Sequence, residues 1–147
     1  MSFADLRDAM PDEIREVWFN FDWDIEKAWA VEAKTGELRV KDLAWLLCLP
    51  IWRHTNSGRL WSVRPIDVLV EPNLDEDHTR RIEQADLSAP VTAMTQHGRL
   101  LLLDGYHRLA RASRDGVAAI PARTLDRTQI ANIQPTDDTA TSLASPS

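Results

Sequence analysis

Four consecutive leucines, Leu100–Leu103, run straight into Asp104-Gly105, and the pattern then turns at once to that of a helix. This junction constrains the fold more than any other stretch. The apolar run is reached from Val91–Thr95 through the short loop Gln96-His97-Gly98, so the two segments read as a β-hairpin. From Tyr106 to about Asp115, Tyr106, Leu109, Ala110 and Ser113 supply a face for packing on a sheet. Gly116 stands where a left-handed C-terminal cap is wanted. Ile120–Leu125 follows as a strand that closes the core.

The same junction is the best candidate site. Gly105 permits a tight turn and close approach of a ligand to the backbone. The first N–H groups of the helix, at residues 106–108, have no partner within the helix, and its dipole favours an anion there. His107 and Arg108 add two side-chain donors, and a guanidinium can grip two phosphate oxygens in a fork. The plainer alternative is that Asp-Gly is a turn and N-cap, with His107 and Arg108 simply facing solvent.

Upstream, residues 3–19 read as an acidic helix carrying Leu6, Met10, Ile14, Val17 and Trp18 at spacings of three and four, or as a shorter helix begun at Pro11-Asp12. Thr35-Gly36-Glu37 reads as a turn, Val40–Cys48 as a short helix ended by Pro50, and residues 53–58 as a polar loop. Leu60–Val63 and Ile66–Val70 read as strands, the second bounded by Pro65 and Pro72. Residues 73–86 read as a helix with an acidic front half that suits the positive end of the dipole. The reading is therefore α+β: a small mixed sheet with packed helices, a Trp-rich acidic helical extension over 1–58, a core over 59–127 and a disordered tail over 128–147.

Charge is uneven along the chain. Residues 1–38 hold four Lys/Arg against ten Asp/Glu, a net of −6, whereas residues 99–127 hold six Arg against three Asp, a net of +3. The acidic end argues against a general grip on nucleic acid, which needs many cations; the local positive segment suits a small anion. No apolar run is long enough to span a bilayer, the first ten residues lack the apolar stretch of a signal peptide, and the single Cys48 permits no internal disulfide. Cytoplasmic residence is the simplest expectation. Five of the six tryptophans precede residue 53, which reads as core filling at the edge of a small domain, with ligand stacking as the alternative.

The order strand, Asp104-Gly105-Tyr106-His107-Arg108, Leu109-Ala110-Arg111-Ala112, Gly116, Ile120-Pro121 resembles the ParB/sulfiredoxin superfamily, with residues 60–125 covered and Ile66-Asp67-Val68 standing for its first core strand. The resemblance implies a turn that holds nucleotide phosphates through Gly105, Tyr106, His107 and Arg108. It further implies that Asp104 orients the turn, binds Mg²⁺ or acts as a base. Sulfiredoxins carry a cysteine in this turn where Tyr106 stands here, which argues against sulfinic acid repair. ParB clamps carry an Arg-Arg version followed by a helix-turn-helix domain, which is not expected here. The Asp-Gly-x-His-Arg form looks nearest to the free-serine-kinase-like branch. In such kinases a carboxylate from the first helix region activates the acceptor; Glu71, Asp75 and Asp77 are the candidates, beside His78 and Arg81 on one helix face. The plainer reading of those acids is a solvated first helical turn.

Two functions compete. One is a small enzyme using ATP, ADP or CTP with Mg²⁺, a phosphotransferase or NTPase. The other is a non-catalytic module that senses a nucleotide or phosphorylated small molecule and meets a protein partner through its N-terminal extension. A partition-type DNA factor fits least well.

Overall fold

The computed structural model describes residues 3–135, with side chains from Asp5 onward. The acidic N-terminus forms two short helices, α1 (Phe3–Asp8) and α2 (Asp12–Arg15). Pro11 separates them, because a residue without an N–H cannot continue the first ladder but its carbonyl can start the second; Ile14 and Arg15 both donate to it. Helix α3 (Ile25–Ala30) starts at Asp24, whose side chain accepts from the N–H groups of Glu26 and Lys27.

Lys34–Arg39 is a strand, β1, where a turn was expected. Six register pairs with the last strand, from Lys34↔Thr124 to Arg39↔Ala119, outweigh the turn preference of Thr35-Gly36-Glu37. Only Leu38 in β1 is even half-buried, so the strand leaves no hydrophobic alternation in the sequence. The helical turn α4 (Val40–Leu43) follows and tightens into a 3₁₀ turn over Ala44–Cys48, as the leucine spacing predicts.

The expected strands over 60–63 and 66–70 do not form. Val63 makes one isolated bridge to Trp52, and Pro65–Val70 is helix α5. Pro65 occupies the first helical position, where its fixed φ and missing N–H cost nothing. Arg64 and Asp67 pair at 2.9 Å across the first turn. The alternation Ile66, Val68, Val70 imitated a strand, yet Val68 is buried while Val70 is 79% exposed. A 3₁₀ turn (Pro72–Leu74) leads to α6 (Glu76–Gln84), shorter than expected at both ends.

The hairpin is present as β2 (Val91–Gln96) and β3 (Arg99–Asp104), joined by His97 and Gly98, both at positive φ. Two positive φ values make the primed turn whose twist matches paired strands. Helix α7 (Tyr106–Arg114) follows Gly105, and β4 (Ala119–Leu125) returns beside β2. The sheet order is β1-β4-β2-β3, with β2 and β4 parallel and the other pairs antiparallel. The α+β class holds.

One hydrophobic cluster joins Leu6, Ile14, Trp18 and Phe19 from the N-terminal segment to Val91, Leu101, Leu103 and Leu109. Trp18 stacks on Tyr106, ring centroids 6.0 Å apart. The segment before residue 59 is therefore not an all-helical extension; it supplies a strand and part of the core. Trp18, Trp23, Trp52 and Trp61 are buried, which fits core filling, and Trp29 is half exposed. Residues 127–133, largely assigned above to a disordered tail, form a 3₁₀ turn (Arg127–Gln129) and helix α8 (Ile130–Ile133), with Ile133 fully buried. The rest of that expected tail, from residue 136, lies outside the described residues. Among the described residues, no helix is long and apolar enough to cross a membrane.

Candidate functional site

The strand-to-helix junction is built around Gly105, at φ 109°. A Cβ there would lie 2.4 Å from Val91 Cγ1 and 2.8 Å from Val91 Cβ. Glycine is required because β2 crosses directly beneath the turn. This packing, rather than room for a ligand, is what the structure records at Gly105.

Gly105 is itself the N-cap of α7 and offers no side chain. The first helical bond is Leu109 N–H to the Gly105 carbonyl. The N–H groups of Tyr106, His107 and Arg108 meet no acceptor among the described residues. Asp104, a candidate cap in the plainer reading, does not cap the helix: its Oδ2 accepts from Trp29 Nε1 at 2.9 Å and lies 3.6 Å from Arg108 Nη1. It is 2% exposed. A guanidinium and an indole N–H already face this carboxylate, so it is a poor seat for Mg²⁺. Among the described residues no group of three His, Cys, Asp or Glu is placed to hold a metal.

His107 is not a solvent-facing donor. It is buried, and its Nε2 lies 2.9 Å from His78 Nδ1, while His78 Nε2 lies 2.8 Å from the Arg53 carbonyl. A carbonyl only accepts, so His78 carries its proton on Nε2 and accepts at Nδ1. His107 must then donate from Nε2, which leaves its Nδ1 as a lone pair with no partner among the described residues. Both imidazoles stack on Trp52, at centroid distances of 4.4 and 4.3 Å, and lie 5.2 Å from each other. That separation is too short for opposite faces of the indole, so the rings lie side by side on one face. Burial, then the neighbouring His78, Arg81 and Arg108, push His107 down to about 3. Burial likewise lowers His78. The pair is neutral at pH 7.

Helix α6 positions the rest. Burial would raise the Asp75 carboxyl, but it ends below its ordinary value because the Thr55 and His78 N–H groups bond it. Both oxygens are engaged, in capping α6 and tying down the loop after Arg53, so Asp75 orients His78's helix and has little capacity as a base. Asp77 pairs with Arg80 and more distantly with Arg81, and Glu71 is exposed where α5 ends. Neither lines the cavities on the two sides of Arg108.

A cavity of about 350 Å³ opens between α6 and the start of α7, lined by Arg81, Gln84, Ala85, Asp86, His107 and Arg108. With His107 neutral, two arginines and one aspartate give this lining a net charge of +1. Arg111 fixes its walls by donating to the Glu83 and Ala85 carbonyls. His107, Arg108 and Arg81 thus come together, while Asp104 borders a different cavity on the far side of Arg108. Trp52 and the Arg53 carbonyl left no mark in the sequence beyond an aromatic and a polar loop; both are placed by the bridge between Trp52 and Val63.

No family model matches this chain, and neither any curated protein nor any solved structure matches it.

Proposed function

We propose that this chain binds the phosphate of a nucleotide or other phosphorylated small molecule at the N-terminus of α7. The observation that carries the reading is the uncapped helix start, with three unanswered N–H groups, beside a cavity holding Arg81, Arg108 and a buried histidine with one open nitrogen. An uncapped helix N-terminus is a ready anion site. The cavity is at the small end for ligand sites, which suits a phosphate end rather than a whole dinucleotide. The resemblance to the ParB/sulfiredoxin superfamily, in its Asp-Gly-x-His-Arg form, points the same way and makes ATP, ADP or CTP the first ligands to try.

A phosphotransferase or NTPase role rests on the chain Arg53 carbonyl, His78, His107. A base held by a second group is the arrangement proton transfer uses. His107 Nδ1 would take the proton of an attacking hydroxyl or water. A bound phosphate raises its basicity by placing negative charge beside it. Magnesium would arrive with the nucleotide. The alternative, a non-catalytic nucleotide-sensing module, is favoured by the low basicity of His107 in the free protein.

Titration calorimetry with ATP, ADP, CTP and inorganic phosphate, with phosphate release followed in parallel, tests both readings. Arg81→Ala should weaken binding by about 1.5–3 kcal/mol, the range for a hydrogen bond to a charged group. If none of these ligands binds, or if Arg81→Ala and Arg108→Lys together leave affinity unchanged, the site assignment is wrong. Binding without turnover leaves the module reading.

A further inference from the structure

A second cleft, of about 310 Å³, lies across Arg108 from the first, under the half-exposed ring of Trp29. Its floor is a row across three strands: Thr92 on β2 pairs in register with Asp104 on β3 and with Arg123 on β4. Side chains at register partners share a face of the sheet. Arg123 is held by the Ala28 and Val31 carbonyls, and Arg108 by the Pro90 carbonyl, so both guanidinium groups are fixed. Arg123 Nε and Arg108 Nη2 have no partner among the described residues. Thr92 lines this cleft, and its hydroxyl is fully buried and finds no hydrogen-bond partner among the described residues. A buried polar group left unanswered in a native fold calls for an explanation.

We propose that this cleft is a binding site for a small monocarboxylate. Two guanidinium groups against the Asp104 carboxylate leave one positive charge to be met by the ligand. The fork of a guanidinium matches a carboxylate, and the Thr92 hydroxyl supplies one more donor to it. Pro90 and the Trp29 ring form an apolar wall for a short carbon chain. Arg108 lines both this cleft and the phosphate-side cavity, but Thr92 and Arg123 line this one and Arg81 and His107 the other, so the proposal does not rest on nucleotide binding.

The Trp29 indole N–H, bonded to Asp104, is a resident reporter. Its ¹⁵N–¹H resonance is identified by its disappearance in Trp29→Phe. Propionate, added without any nucleotide, should shift that resonance saturably in the millimolar range, while the neutral propionamide should not. Thr92→Val removes the hydroxyl but keeps the shape. The folded spectrum should survive, because that hydroxyl bonds nothing among the described residues, and propionate affinity should fall about tenfold, the equivalent of one charged hydrogen bond. Arg81→Ala should leave propionate binding unchanged. No saturable shift, an equal shift with propionamide, or equal affinity in Thr92→Val would each overturn the proposal. Failure of nucleotide binding alone would leave it standing.

Discussion

Replacing His107 by glutamine should flatten the loss of stability in mild acid. Burial holds His107 near 3, whereas the same side chain in an unfolded chain titrates near 6.5. Above pH 6.5 neither state binds the proton, and the full stability is present. As pH falls toward 3 the unfolded chain takes up a proton that the folded one refuses, so stability drops throughout that window. At about 1.4 kcal/mol per pH unit, the whole interval corresponds to roughly 5 kcal/mol, and the part between pH 6.5 and 4.5 to about 3 kcal/mol. Glutamine can still donate an amide N–H toward His78 Nδ1 but does not titrate. Urea unfolding, followed by tryptophan fluorescence at intervals from pH 7.5 to 4.5, gives ΔG for both proteins. The wild type should lose about 2–3 kcal/mol more than His107→Gln over this range. Parallel curves would mean that His107 is not held neutral between His78 and the cavity, and the proton assignment along Arg53, His78 and His107 would be wrong.

Gly105→Ala should cost about 2–4 kcal/mol, combining left-handed strain with overpacking against Val91. The loss should be smaller in a Val91→Ala background, and an equal loss in both backgrounds would show that Val91 is not the obstacle. Arg108→Ala should lower the melting temperature, because it strips Asp104 and the Pro90 carbonyl of a partner; Arg81→Ala, half exposed and paired only distantly, should not. Asp104→Asn should cost about 1 kcal/mol, the difference between a charged and a neutral hydrogen bond. Its effect should fall well short of additivity with Trp29→Phe, which removes altogether the contact that Asn weakens; additive losses in urea unfolding would rule that contact out.

The hairpin, α7 and β4 were legible because each writes its own local pattern: the leucine run, the His97-Gly98 turn, the apolar face of α7. Strand β1 was not, because an exposed edge strand needs no apolar alternation and owes its existence to a partner far along the chain. Helix α5 was misread because its β-branched residues alternate while only Val68 is buried. At the site, His107, Arg108, His78 and Arg81 were named, and the structure brings them together. What sequence could not convey was the direction of their bonds. The two histidines spend a nitrogen on each other, Asp104 turns away to Trp29, and Gly105 answers to Val91.

The place of β1 in the sheet also sets an order of events in time. Its nearest register pair joins Arg39 to Ala119, 80 positions later. At roughly 5–20 residues per second, ribosomal synthesis would leave β1 waiting about 4–16 s for the strand it pairs with. During that wait the aromatic residues of the first third of the chain have no finished sheet to cover them, while the hairpin and α7 can assemble from residues close at hand. The last strand to emerge is therefore the one that closes the molecule, and slow, long-range closure of this kind is where folding intermediates and aggregation concentrate.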